Sequence, residues 1–181
     1  ILKTAYGQSM LHVISEEEKR GIIEQILHTM ELSYENKEEI VSSIVSQVSL
    51  VKCDMMDVEN YYSKDMPEHA FRELYRRLDA ELKTKLIDFD DMMVLCYELL
   101  TARPDILDKC RSLFPYIMVD EFQDSNRIQY EIFRMLANPR QNACIVGDDD
   151  QSVYGFRGAR PEIMQQFRKD FSSCEIVYLG A

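Results

Sequence analysis

Two short apolar runs, YIMV at residues 116–119 and ACIV at 143–146, each break off in acid, and one amphipathic stretch, RIQYEIFRMLA, lies between them. A β-rich run too short for a helix, a helical stretch of about 10 residues and a second such run form the pattern of a βαβ unit with parallel strands. A further helix, PEIMQQFRKDF, and a further run, EIVYL at 175–179, extend the alternation. The predicted class is therefore α/β, a parallel sheet with flanking helices. In open parallel sheets ligands sit in the crevice beyond the carboxyl ends of the strands. Both acid clusters lie there: Asp120 and Glu121 after the first run, Asp148, Asp149 and Asp150 after the second.

The preceding half has a different period. SEEEKRGIIEQILHTM opens with Ser15 and Glu18 at capping-box spacing and places Ile22, Ile23, Ile26, Leu27 and Met30 on one face. NKEEIVSSIVSQVSLVK follows the same design, with Asn36 and Glu39 at its start and Ile40, Val41, Ile44, Val45 and Val48 as its stripe. After a polar connection, Pro67 suits a first helical turn, and Phe71, Leu74, Tyr75, Leu78, Leu82 and Leu86 continue at helical spacing. These stripes are read as core. DFDDMMVLCYELL, with Asp88 at its cap, and DILDKCRSLF add two more helices. The reading divides the chain into a helical unit, residues 1–85, and an α/β unit, residues 86–181.

Charge and cysteine usage narrow the function. The formal net charge is −11, so bulk electrostatics repel nucleic acid and any polyanion contact has to be local. The cysteines at 53, 96, 110, 144 and 174 are odd in number and lack a C-x-x-C spacing, which argues against a disulfide framework and a zinc site and points to a reducing cytoplasm. No apolar run reaches the roughly 18 residues a membrane span needs, so no membrane partner is expected. The chain starts at Ile1 rather than Met, and is expected to be a piece of something longer. His12, His28 and His69 are dispersed and read as structural or surface residues.

Two acid clusters on one sheet edge repel unless a cation or several donors stand between them. Mg²⁺ suits such a place, because it takes hard oxygen ligands and shares them with substrate phosphates. The bland alternative is a solvated strand-to-helix turn, with Asp124 and Ser125 capping the next helix. Gln123 and Gln151 stand at equivalent places after the two runs, and an amide can meet a terminal phosphate or a bound water without adding charge. Tyr154 and Phe156, from their residue types alone, read as loop packing against its own sheet.

At this point the motifs carry a resemblance. VDEFQDSNRIQYEIF and IVGDDDQSVYGFRGA are similar to motifs II and III of superfamily 1 DNA helicases of the UvrD/PcrA/Rep type, and IDFDDMM resembles the segment just upstream. The resemblance implies a helical insertion (1B) subdomain over residues 1–85, followed by part of a RecA-like P-loop NTPase sheet, domain 1A, over residues 86–181. It implies ATP and Mg²⁺ as cofactors: Asp120 as the metal ligand, Glu121 as the base that deprotonates the attacking water, and Gln123 and Gln151 as γ-phosphate sensors, Gln151 also counting as catalytic. It further implies that Tyr154 and Phe156 stack on single-stranded DNA bases, supported by Arg157. Phe156 stands where many members carry tryptophan, and Gly155 where some carry arginine. The implied activity is ATP-driven 3′-to-5′ translocation and duplex unwinding in repair or replication restart, with a duplex junction among the partners.

A motor of this kind also needs a G-x-x-x-x-G-K-[ST] phosphate cradle. None of the glycines at 7, 21, 147, 155, 158 and 180 precedes a Lys-Ser or Lys-Thr pair. The expectation is an internal helicase segment that depends on the remainder of its chain, a phosphate-loop segment and a second RecA-like domain, and is inactive alone. Two other classes stay open on the residues: a metal-dependent nuclease, because clustered carboxylates also bind two metals, and a non-catalytic, partner-binding helicase-like module. The basic cluster Arg72, Arg76, Arg77, Lys83 and Lys85 alternates with Glu73, Asp79 and Glu81, and reads as an ion-paired face rather than a DNA site.

Overall fold

The computed structural model describes residues 12–30, 32, 34, 36–82, 86–148 and 162–178. Three helices come first: α1 (Glu16–Thr29), α2 (Lys37–Cys53) and α3 (Glu68–Leu82). Each of the first two starts where its sequence offers a cap. Ser15 Oγ accepts the Glu18 N–H at 3.2 Å and Glu18 Oε2 accepts the Ser15 N–H at 2.7 Å, which closes the capping box of α1. The bonds donated by the Ser15 N–H and hydroxyl hold the Glu18 carboxyl below its ordinary value. Asn36 Oδ1 accepts from the N–H groups of Glu38 and Glu39 at the start of α2. The apolar stripes then meet: Ile23, Ile44, Phe71 and Leu74 are all wholly enclosed in one core drawn from the three helices. Each such side chain contributes roughly 1.5–3 kcal/mol on leaving water.

The second group is α4 (Phe89–Ala102), α5 (Pro104–Leu113), α6 (Arg127–Ala137) and α7 (Glu162–Asp170). Four short strands complete the described chain: β1 (His12–Val13), β2 (Leu86–Ile87), β3 (Ile117–Val119) and β4 (Ala143–Ile145). They form two parallel pairs. β1 lies along β2, with His12 opposite Leu86, and β3 lies along β4, with Ile117, Met118 and Val119 opposite Ala143, Cys144 and Ile145. The β3–α6–β4 order is the βαβ unit that the two acid-terminated runs imply. Its inner face, Ile117, Val119, Ala143 and Ile145, packs on an aromatic core from α6 and α7. There Phe122 meets Phe133 and Phe167 edge-on, with ring centres 5.8 and 6.0 Å apart, and Phe167 stacks on Phe171 at 4.5 Å.

Three local expectations change. Leu86, read as the end of the third helical stripe, lies beyond α3 in β2, where it pairs with His12. EIVYL is not a strand over its described residues 175–178: these pair with neither β3 nor β4 and leave Val177 and Tyr178 largely exposed. A strand exists only through a partner, and composition alone does not provide one. The cap of α6 is Asn126, in a reciprocal box with Gln129, rather than Asp124 or Ser125. The chain first spends Phe122–Asp124 on a 3₁₀ turn, which delays the helix.

An enclosed ion cluster joins the helical layer to α4. Lys19 of α1 lies 2.7 Å from Asp88 and 2.9 Å from Asp90; Lys52 of α2 lies 3.0 Å from Asp88 and 2.6 Å from Asp91. The side chains of Lys19, Lys52 and Asp88 are each about 5% exposed, so these charges persist only because they are paired. Burial alone would favour a neutral Asp88, but Lys19 and Lys52 outweigh it and hold the carboxyl well below the usual range. Burial likewise opposes a charged Lys52, and Asp88 and Asp91 outweigh it, raising that amine above its ordinary value. Asp88 also caps α4, accepting the Asp91 N–H at 2.7 Å. No helix among the described residues is long and apolar enough to cross a membrane.

Candidate functional site

The parallel register of β3 and β4 brings their two carboxyl ends to one edge. Beyond the last paired residues the ladder continues: Val146 N–H donates to the Val119 carbonyl at 2.8 Å and Phe122 N–H to the Val146 carbonyl at 2.9 Å. The turn that carries Asp120 and Glu121 therefore runs beside the turn that carries Gly147 and Asp148. Of the site residues expected from sequence, Asp120, Glu121 and Gln123 fall here; Gln151, Tyr154, Phe156 and Arg157, like Asp149 and Asp150, lie outside the described residues.

Asp120 is exposed at the end of β3, and its Oδ1 accepts the Glu121 N–H at 2.9 Å. Glu121 takes a left-handed backbone conformation, φ 50° and ψ 41°, an uncommon one for a residue with a side chain. That conformation turns the chain sharply off the strand into the 3₁₀ turn, leaving both carboxylates at the rim while Phe122 drops into the aromatic core. Backbone strain of this type concentrates at sites of function.

Gln123, expected at the γ-phosphate, lies enclosed beside the rim. Its side chain is 1% exposed, Nε2 donates to Glu121 Oε2 at 2.6 Å, and Oε1 accepts the Asp148 N–H at 3.0 Å. Gly147 makes the room, since a Cβ there would stand 2.5 Å from Gln123 Oε1. The ordering roles of Gly147 and of the buried lysines escaped the sequence reading. Their signals were present: a glycine directly after an apolar run, and lysines set among apolar helix positions.

The acids fit a magnesium–nucleotide complex by donor type. Mg²⁺ typically takes one or two carboxylates and completes its shell with water and substrate phosphates, and Asp120 offers one exposed carboxylate at a strand end. Among the described residues no three acidic, histidine or cysteine side chains gather as a metal cage. Away from this rim, the described arginines of α3 are ion-paired as expected: Arg72 with Glu68, Arg77 with Glu73, and Arg76 with Glu59. Lys83 and Lys85 lie outside the described residues.

Comparison with known proteins supplies what this geometry leaves open. The model of the UvrD/REP helicase N-terminal domain matches residues 2–172. The chain belongs to the UvrD/REP helicase family. Among relatives of this UvrD/REP chain, YjcD of Bacillus subtilis is 43% identical over 148 residues, which are 81% of this chain and 20% of YjcD. The ATP-dependent DNA helicase PcrA of Leuconostoc citreum is 33% identical over 172 residues, 92% of this chain and 22% of PcrA. DNA helicase II of Escherichia coli is 42% identical over 113 residues, 62% of this chain and 16% of that protein. The chain thus spans about a fifth of the length of the curated relatives it matches. Neither the nuclease nor the non-catalytic reading gains support from these relatives.

Proposed function

We propose that the chain is part of an ATP-dependent DNA helicase, a cytoplasmic motor that couples ATP hydrolysis to 3′-to-5′ movement on single-stranded DNA and to opening of the duplex ahead. In this reading residues 1–85 are the helical insertion and residues 86–181 the later part of a RecA-like nucleotide-binding domain. The observation that carries it is the meeting of the Asp120–Glu121 turn with the Gly147–Asp148 turn at the carboxyl edge of one parallel pair, in a chain whose relatives include ATP-dependent DNA helicases.

The roles are those that the resemblance of the two motifs implies. Asp120 holds Mg²⁺, which when bound with the nucleotide neutralises phosphate charge. Glu121 orients the attacking water and takes its proton, the positioning and base work that phosphoryl transfer to water requires. Gln151, a few residues beyond Asp148, meets the γ-phosphate. Tyr154 and Phe156 stack on bases, with Arg157 beside them; stacking is worth about 1–3 kcal/mol per base and tolerates any sequence, as a stepping motor needs. The net charge of −11 then makes DNA contact a matter of this loop and of the rest of the protein, not of the bulk field.

The test is Glu121→Gln in the full-length protein. DNA-stimulated ATP turnover should fall by about 10²–10⁴-fold, while a fluorescent ATP analogue still binds. Retained turnover would refute the assignment of the base. Strand displacement from substrates with 3′ or 5′ tails tests the polarity, a 3′ tail being required.

A further inference from the structure

A primary amide has two N–H donors and one carbonyl acceptor, and enclosing it leaves polar atoms that must be satisfied inside the protein. Gln123 is enclosed at 1% exposure, and its amide nitrogen and oxygen each have a partner, of opposite kind. A carboxylate only accepts and a backbone N–H only donates, so Nε2 must face Glu121 and Oε1 must face Asp148, as they do at 2.6 and 3.0 Å. One side chain therefore bridges the acid after β3 to the backbone after β4. Gly147 is the counterpart of this bridge: a Cβ would sit 2.5 Å from Gln123 Oε1 and 3.2 Å from the backbone nitrogens of Phe122 and Gln123, two of them fixed atoms with nowhere to move.

We propose that Gln123 is a positioning residue that holds the Glu121 carboxylate against the loop leaving β4, so that the aim of the base and the place of that loop are set together. This rests on the reading of Glu121 as the base. A free glutamate side chain samples many rotamers; a donor on Oε2 restrains it and leaves Oε1 to accept from a water. Through the Asp148 N–H, a shift at the start of the β4 loop is felt at Glu121 by way of Gln123. Gly147 serves the same contact by leaving space for the amide.

The experiment uses the full-length protein and compares Gln123→Leu, which keeps approximate volume and removes both hydrogen bonds, with Glu121→Gln. For Gln123→Leu the expected result is a fall in kcat for DNA-stimulated ATP hydrolysis of about 10–100-fold, the cost of a misaimed catalytic group. The KM for ATP and the Kd of a fluorescent ATP analogue stay within about threefold of the parent, a change too small to explain such a loss. Gly147→Ala should repeat this split. If Gln123→Leu does not melt cooperatively, Gln123→Met, which keeps the length of the side chain and removes both hydrogen bonds, carries the same outcomes. An unchanged kcat would overturn the proposal, as would a loss of nucleotide affinity large enough to account for the fall, since that would put Gln123 on the nucleotide. Glu121→Gln separates the two levels: if it keeps turnover, the base assignment fails; if it loses turnover while Gln123→Leu does not, only the positioning role fails.

Discussion

Asp88 carries three duties at once: it caps α4, accepts Lys19 and accepts Lys52, all with a side chain about 5% exposed. A buried pair is a weak source of net stability, yet removing one partner strands the other, at a cost of about 3–5 kcal/mol. Lys52→Met leaves Asp91 without its cation and Asp88 with Lys19 alone, so it should destabilise by up to about that amount in urea denaturation at neutral pH, and a loss below about 1 kcal/mol would mean that the remaining charges relax into solvent. The pH dependence has a definite sign. The folded pKa of Asp88 is lowered, so its contribution is complete above the unfolded value of about 3.9 and disappears as pH falls through the folded one. The folded pKa of Lys52 is raised, so its contribution is complete below about 10.4 and is lost as pH rises through the folded value. The deficit of Lys52→Met should accordingly shrink in strong acid, where Asp91 and Asp88, the carboxylates that Lys52 serves, become neutral.

At the scale of elements, helices with side-chain caps were legible because their starts are written locally. Ser15, Asn36 and Asp88 stand where the structure caps α1, α2 and α4, and the apolar stripes of α1 and α2 face one core. The turn after β3 was legible in place but not in shape. Nothing in the residue types of Glu121 or Phe122 signals a left-handed residue followed by a 3₁₀ turn, so Asn126 displaced Asp124 and Ser125 as the cap of α6. Asn126→Ala removes the acceptor for the Gln129 N–H and should cost about 0.5–2 kcal/mol, read as a lower midpoint in thermal melting. If the midpoint does not move, the 3₁₀ turn rather than the box holds the helix start. EIVYL failed as a strand for a non-local reason, since pairing belongs to two segments and its composition describes one.

At the scale of the whole molecule, the layers share an economy of contact. α4 packs on both α2 and α6, so the enclosed charges at its start and the apolar surface along it tie the helical layer to the βαβ unit that bears the acid rim. The motifs announced that rim and its residue types. They did not announce that Gln123 would be spent inside the protein, because the partner that claims it, the Asp148 N–H, is backbone and has no residue signature. The central claim is that this rim receives the triphosphate. It is tested most directly by the crystal structure of the full-length protein with Mg²⁺ and a non-hydrolysable ATP analogue. The expected result is the metal and the terminal phosphate against Asp120 and Glu121, with Gln123 still bridging Glu121 to Asp148; a nucleotide bound elsewhere, with those carboxylates facing only solvent, would contradict it.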